Sequence, residues 1–197
     1  MKSKMTTDAI RGTEAWPLRL ARESDVPALE TLIPLSVRVL QAPYYSTAQM
    51  ETALRESIFG VDRQLIRDGT YFVAERDGMI VACGGWSPRE SLCGGDGCRT
   101  CEDKLLDPQQ DAARVRAFFV HPNWARRGIG RSIMTACEKA LVEAGFRSAV
   151  IVATLAGEPL FASFGYAAVE RYELKMNNGL GLPVVRMTKE MKPGRST

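Results

Sequence analysis

Phe118-Phe119-Val120-His121-Pro122-Asn123-Trp124-Ala125-Arg126-Arg127-Gly128-Ile129-Gly130-Arg131-Ser132 joins a β-like run to a helical one through a glycine-punctuated loop. Before it, Ala117 to Val120 is an apolar strand. After it, Ile129, Ile133, Cys137, Ala140, Leu141 and Ala144 recur at helical spacing. Gly128 and Gly130 remove two β-carbons at the first helical turn, so backbone N–H groups from about Arg126 to Ser132 can converge on one small anionic group. The partial positive charge of a helix N-terminus favours a phosphate there. No Asp or Glu falls between Ala112 and Cys137, whereas Arg114, Arg116, Arg126, Arg127 and Arg131 do. A dinucleotide fingerprint would need glycine three residues after Gly130, where Ile133 stands, and the absence of Gly-Lys-Ser/Thr excludes a P-loop.

Outward from the loop, Ala113 to Val120 reads as a fourth strand, the loop helix runs to about Ala144 with Gly145 placed to stop it, and Ala149 to Ala153 is a fifth strand. Upstream, Leu18 to Ala21 is a first strand. Ser24 or Asp25 caps a helix bearing Val26, Leu29, Ile33, Val37 and Leu40 on one face, with a kink expected at Pro34. Ser46 and Gln49 have capping-box spacing for a second helix from about Thr47. Thr70 to Glu75 and Met79 to Trp86 form a hairpin through Arg76-Asp77-Gly78. Residues 87–111 lack periodicity and read as a long Cys- and Gly-containing insertion. A short helix, Pro159 to Phe164, ends at Gly165, and Tyr166 to Met176 with Pro183 to Met191 reads as a closing antiparallel pair.

With Val120-His121-Pro122 ahead of it, Arg126-Arg127-Gly128-Ile129-Gly130-Arg131 resembles the Q/R-x-x-G-x-G/A motif of the GCN5-related N-acetyltransferases (GNAT), with Ala125 where that pattern has Gln or Arg and Arg126 beside it able to supply the side chain. Thr154-Leu155-Ala156-Gly157-Glu158-Pro159-Leu160-Phe161, followed by Phe164-Gly165-Tyr166, is similar to a second segment of that family, and the element order β-α-α-β-β-β-α-β-α-β-β matches its fold. The resemblance implies an α/β (α+β) architecture. Its mixed, mostly antiparallel sheet has about seven strands, splayed between strands four and five, with about four helices. It also implies acetyl-CoA as co-substrate and direct acetyl transfer, in a ternary complex, to a primary amine of a small molecule or peptide.

Carried over residue by residue, the cofactor-binding set is Phe118, Phe119, Val120, Arg126, Arg127, Gly128, Ile129, Gly130, Arg131, Ser132 and Phe161, with the backbone N–H of Val120 as oxyanion donor. The family pattern has Tyr at the place of Phe161, where its phenol protonates the departing thiolate. Phe161 has no such proton, so solvent or the link tyrosines Tyr44 and Tyr45 are the substitutes, and a non-catalytic acyl-CoA sensor is the alternative reading. A homodimer is common in the family.

The chain of 197 residues, 45% hydrophobic, suits one domain over residues 16–192, with a flexible segment 1–15 before it and a tail 193–197 after it. A net charge of +3 and basic residues concentrated near the loop give no reason to expect a nucleic-acid partner. Without a secretory signal or a run of about 18 apolar residues, no membrane partner is expected and the chain reads as cytoplasmic. Cys93, Cys98 and Cys101 form C-x4-C-x2-C, short of the paired C-x2-C units of closed zinc sites, so no metal is expected. A zinc-ordered interaction protein is the third reading. His121 is either a proton relay or a residue that shapes the turn; no carboxylate lies on the fourth strand, Asp111 just precedes it and Glu75 ends the second, and a water relay is the alternative base.

Overall fold

A computed structural model describes residues 16–92 and 103–191. Its strands are β1 (Leu18–Leu20), β2 (Tyr71–Arg76), β3 (Met79–Ser87), β4 (Ala113–Val120), β5 (Ser148–Thr154), β6 (Ala167–Lys175) and β7 (Gly181–Glu190). They form a mixed sheet in the order β1-β2-β3-β4-β5-β7-β6. Only β4 and β5 run parallel. The helices among the described residues are α1 (Val26–Leu40), α2 (Thr47–Arg55), α3 (Arg63–Arg67), α4 (Ile129–Glu143) and α5 (Glu158–Ala162).

Helices cover both faces of the sheet. On one, Ile129, Ile133, Cys137 and Leu141 of α4 pack with Val81, Val115, Ile151 and Phe161. On the other, Leu29, Ile33 and Val37 of α1, Met50 of α2 and Leu65 of α3 pack with Val73, Cys83, Phe119 and Val184. The apolar stripe read from the sequence of α4 is thus its buried face.

Local signals act where the sequence places them. Ser46 Oγ accepts the Gln49 N–H at 3.2 Å while Gln49 Oε1 accepts the Ser46 N–H at 2.9 Å, closing the capping box of α2. Asp77 (φ 52°) and Gly78 (φ 74°) both take the left-handed conformation that a tight β2–β3 turn requires. Helix α1 runs through Pro34 to Leu40 without ending there. Beside the four helices read from the sequence there is a fifth short one, α3. It spans five residues, too few to display a period, and it forms because the Asp62 carboxylate accepts the Leu65 N–H at 3.1 Å. The stem of the insertion is pinned where Arg89 bridges to Leu105 and its guanidinium reaches Asp68 at 2.8 Å. Cys93, Cys98 and Cys101 lie outside the described residues.

What positions the site is the parting of β4 from β5. Their ladder consists of Ala113↔Ala149 and Arg114↔Val150, and beyond Arg114 the two strands splay. At the same level β4 bulges: Ala117 has φ 61° and the β3 register skips between Cys83 and Gly85. Gly84 is what the bulge packs on. A β-carbon there would fall 2.8 Å from Ile133 Cγ2 and 2.9 Å from the Phe118 ring.

The Ala117 carbonyl, turned out of the ladder, is met by the buried Tyr71 hydroxyl at 3.3 Å, which also lies 3.2 Å from Cys83 Sγ. Burial holds the Cys83 thiol up at about 12, so it acts as an uncharged neighbour. Tyr71→Phe removes the main donor to a buried carbonyl and is expected to cost about 1–2 kcal/mol in urea denaturation. An unchanged midpoint would show that the hydroxyl does not hold the bulge.

Candidate active site

From β4 the chain turns through a short 3-10 segment, Pro122–Trp124, into the glycine loop. His121 shapes that turn: its N–H donates to the Val81 carbonyl at 2.8 Å and its Nδ1 accepts the Asn123 N–H at 3.2 Å. Arg126 (φ 63°) and Gly128 (φ 85°) are both left-handed, at a cost for Arg126 of about 1–2 kcal/mol.

The first helical bond of α4 runs from the Ser132 N–H to the Gly128 carbonyl at 3.0 Å. The amides of Gly128, Ile129, Gly130 and Arg131 lie ahead of it and have no carbonyl four residues back within the helix. They form a concave set of donors with open space around the missing Gly128 side chain. Gly130 has a different reason to be glycine. Its β-carbon would sit 3.1 Å from Leu160 Cδ2, so its absence lets α5 close over the first turn of α4.

Aromatic rings brace the surrounding arginines. Arg127 stacks on Trp124 at 4.8 Å, Trp16 meets Trp124 edge-on at 5.7 Å, and the Trp16 indole N–H donates to the Arg127 carbonyl at 3.0 Å. Arg131 lies over Phe164 at 5.0 Å and donates to Ser163 Oγ at 2.9 Å. Arg116 does not belong to this field, contrary to the sequence reading. It points to the α3 side of the sheet, where its Nε donates to Asp62 Oδ2 at 2.7 Å and both side chains are buried.

A cavity of about 550 Å³ begins at the loop, passes through the splay between Phe118, Val120, Ile151 and Phe161, and reaches an apolar pocket lined by Ile58, Phe59, Leu174 and Val184. Of the residues selected from sequence, Phe118, Phe119, Val120, Arg126, Gly128, Ile129, Gly130, Arg131 and Phe161 line it. Arg127 and Ser132 stand behind the loop, and Ser132 Oγ accepts the Trp16 N–H at 3.5 Å. Neither Tyr44 nor Tyr45 lines the cavity. Tyr44 is exposed, whereas Tyr45 is buried with its hydroxyl donating to the Pro183 carbonyl at 2.7 Å and accepting the Leu155 N–H at 2.9 Å. Burial pushes the Tyr45 phenol upward against the smaller opposing effect of the Leu155 N–H. Phe161 is buried edge-on between Phe118 and Tyr166, with centroids 5.6 and 6.3 Å away.

Along β4, the His121 N–H and the Cys83–Phe119 pair fix which amides face β3. Alternation turns the amides of Phe118 and Val120 to the opposite edge, toward the splay. The Val120 N–H donates to Ser36 Oγ at 3.2 Å. Ser36, Gln41 and Thr154 are cavity residues that sequence reasoning missed. Ser36 interrupts the apolar face of α1, a signal that was readable, but Gln41 and Thr154 stand at element ends where no period marks them. Among the described residues, no Asp or Glu lines the cavity, and no cluster of groups suited to a metal ion is present.

A model of the acetyltransferase (GNAT) family matches residues 35–166, well over half of the chain. The chain belongs to the GNAT family. Among solved structures, this GNAT chain is similar to a GCN5-related N-acetyltransferase from Rhodopseudomonas palustris, with 22% identity and a TM-score of 0.67, over 90% of this chain and 97% of that one. PaiA N-acetyltransferase from Thermoplasma acidophilum, in complex with coenzyme A, matches with 13% identity and a TM-score of 0.62, over 90% of this chain and 100% of its own. YncA from Salmonella typhimurium, in a structure with its cofactor acetyl-CoA, matches with 17% identity and a TM-score of 0.57, over 93% of this chain and 98% of its own. These likenesses establish the shared fold. No curated protein matches the sequence. No helix among the described residues is long and apolar enough to cross a membrane.

Proposed function

We propose that this GNAT chain is an acetyl-CoA-dependent N-acetyltransferase that acts on a primary amine of a small molecule or peptide. The observation that carries this reading is the single cavity that connects the amide-lined loop at Gly128–Arg131, through the β4–β5 splay, to an apolar pocket on the other side. Acetyl-CoA supplies the activated acyl group. The loop amides hold its phosphates, the outward-facing edge at Phe118 to Val120 pairs with its amide-bearing arm, and the Val120 N–H, which donates to Ser36 Oγ at 3.2 Å in the free chain, exchanges that acceptor for the developing oxyanion.

The amine attacks directly in a ternary complex. Its proton and that of the leaving thiol pass through water, because no carboxylate lines the described cavity. Of the two tyrosines considered as proton donors, Tyr44 has the solvent-exposed side chain, whereas the Tyr45 hydroxyl is engaged by two backbone groups.

Calorimetric titration with acetyl-CoA tests the reading: heat and a raised melting temperature are expected, and the absence of both refutes it. The ring of Phe161 at the place of the family's tyrosine favours a second reading, an acyl-CoA sensor without turnover. The two separate on thiol release in the presence of an amine panel. If the chain is a slow enzyme, Phe161→Tyr is expected to raise kcat by about tenfold or more, within the range of a positioned general acid. No release by either protein on any amine supports the sensor.

A further inference from the structure

Beyond the splay the cavity becomes a pocket whose open surface is apolar. Ile58 and Phe59 from the α2–α3 link, Val152 of β5, Leu174 of β6, and Leu182 and Val184 of β7 line it. The polar side chains of the same wall are engaged within the protein. Thr154 Oγ1 accepts the Gln41 amide at 3.1 Å and the Gly157 N–H at 3.2 Å, Ser36 Oγ accepts the Val120 N–H at 3.2 Å, and Arg116 donates to Asp62 Oδ2 at 2.7 Å and to the Ser91 carbonyl. Such a wall suits a guest with no polar atom beyond its carbonyl. An acetyl group carries only a methyl past that point and leaves the pocket unfilled. An amine drawn in from water arrives as an ammonium ion, and no carboxylate in the described wall offsets its desolvation. Resting on the acetyltransferase reading, we infer that the pocket seats the acyl chain of the donor, so that this protein also transfers linear acyl groups longer than acetyl from coenzyme A.

Phe59 sets the limit of that chain. On its other side lies a second cavity, of about 260 Å³, and Phe59 belongs to the walls of both. The residue is buried, its ring stands edge-on to Phe119 with centroids 6.3 Å apart, and its N–H donates to the Ala53 carbonyl at 3.2 Å. A chain that reaches the ring stops there; with the ring removed, it runs on between Ile33, Leu54 and Val61 of the second cavity. In the transfer step the amine nitrogen bonds to the acyl carbon and the C–S bond breaks. The thiolate takes up one proton and the nitrogen sheds one, both through water, and the product is an amide that carries the longer chain.

The test is a donor series of acetyl-, butyryl-, hexanoyl-, octanoyl- and decanoyl-coenzyme A, with binding followed by calorimetry and transfer by thiol release with the amine panel. Affinity is expected to rise about fourfold for each methylene buried and then to level off, with hexanoyl transfer exceeding acetyl transfer by about tenfold or more in kcat/KM. Phe59→Ala is expected to carry the rise to the next longer donor, which binds about tenfold more tightly than it does to the wild type. Should Phe59→Ala fail to fold, Phe59→Leu and the wild-type ranking decide. A rise that stops at the same chain length in the variant overturns the role of Phe59. Affinity that is flat or falls from acetyl onward overturns the inference and leaves the acetyltransferase reading standing, as does a flat series beside a strong preference for hexylamine over methylamine, which gives the pocket to the acceptor. No binding of any member overturns both.

Discussion

Gly128→Asp is expected to weaken acetyl-CoA binding by about a hundredfold or more, roughly 2.7 kcal/mol, while leaving the fold intact. The argument starts from the space around this residue. A β-carbon at Gly128 would meet no atom within 4 Å, so a side chain can leave the backbone there without a clash. Asp also tolerates the left-handed φ of 85° better than most residues, at a cost of about 1 kcal/mol. Placed at the start of α4, the carboxylate can fold over the free amides ahead of Ser132 and accept their hydrogen bonds itself, a good interaction for a helix N-terminus. The nest is then filled by an anion of the protein's own, and an incoming phosphate meets both a lost site and a like charge. Isothermal titration gives the binding change and circular dichroism the melting curve. A dissociation constant within about threefold of wild type would mean that these amides are not what holds the coenzyme.

That loop was legible from sequence because its chemistry is local. A strand, two glycines and an amphipathic helix within a few tens of residues leave little choice of geometry, and the residues from Phe118 to Arg131 that matter are contiguous. The bulge at Ala117 was less legible, since Ala113 to Val120 contains neither glycine nor proline. The available signal lay across the sheet. Gly84 and Gly85, side by side in a β-rich run, announce a close approach, which the structure identifies as Phe118 and Ile133 against one and the Thr70 carbonyl against the other.

Tyr45 illustrates the opposite failure. Its place between α1 and α2 drew attention as a proton source, but the pairing of its hydroxyl with Pro183 and Leu155 depends on residues more than a hundred positions away. Arg116 misled for the same reason. It was grouped with the loop arginines because no carboxylate lies near it in the sequence, whereas its partner Asp62 caps a helix too short to be seen.

Asp62 carries the largest expected stability effect. Asp62→Ala should lower the unfolding free energy by about 4–6 kcal/mol: breaking one side of a buried ion pair costs about 3–5, and losing the cap of a helix about 1. Both contributions are visible in the structure, for Oδ2 receives Arg116 Nε at 2.7 Å and Oδ1 receives the Leu65 N–H at 3.1 Å, with the Asp62 side chain 0% exposed. For a chain of this length the melting temperature should fall by about 10–20 °C.

The larger part of that loss comes from stranding a guanidinium in the core rather than from the attraction itself, and this makes the prediction separable. If Arg116 is made apolar as well, as in the double variant Asp62→Leu with Arg116→Met, the guanidinium is no longer stranded, and about half or more of the lost stability should return. The same double variant leaves the loop amides untouched, so coenzyme binding should persist at wild-type strength. Recovery of stability without that persistence would tie the ion pair to the coenzyme half of the cavity. Failure to recover would show that Arg116 and Asp62 stabilise the fold as a pair, beyond the avoidance of a stranded charge.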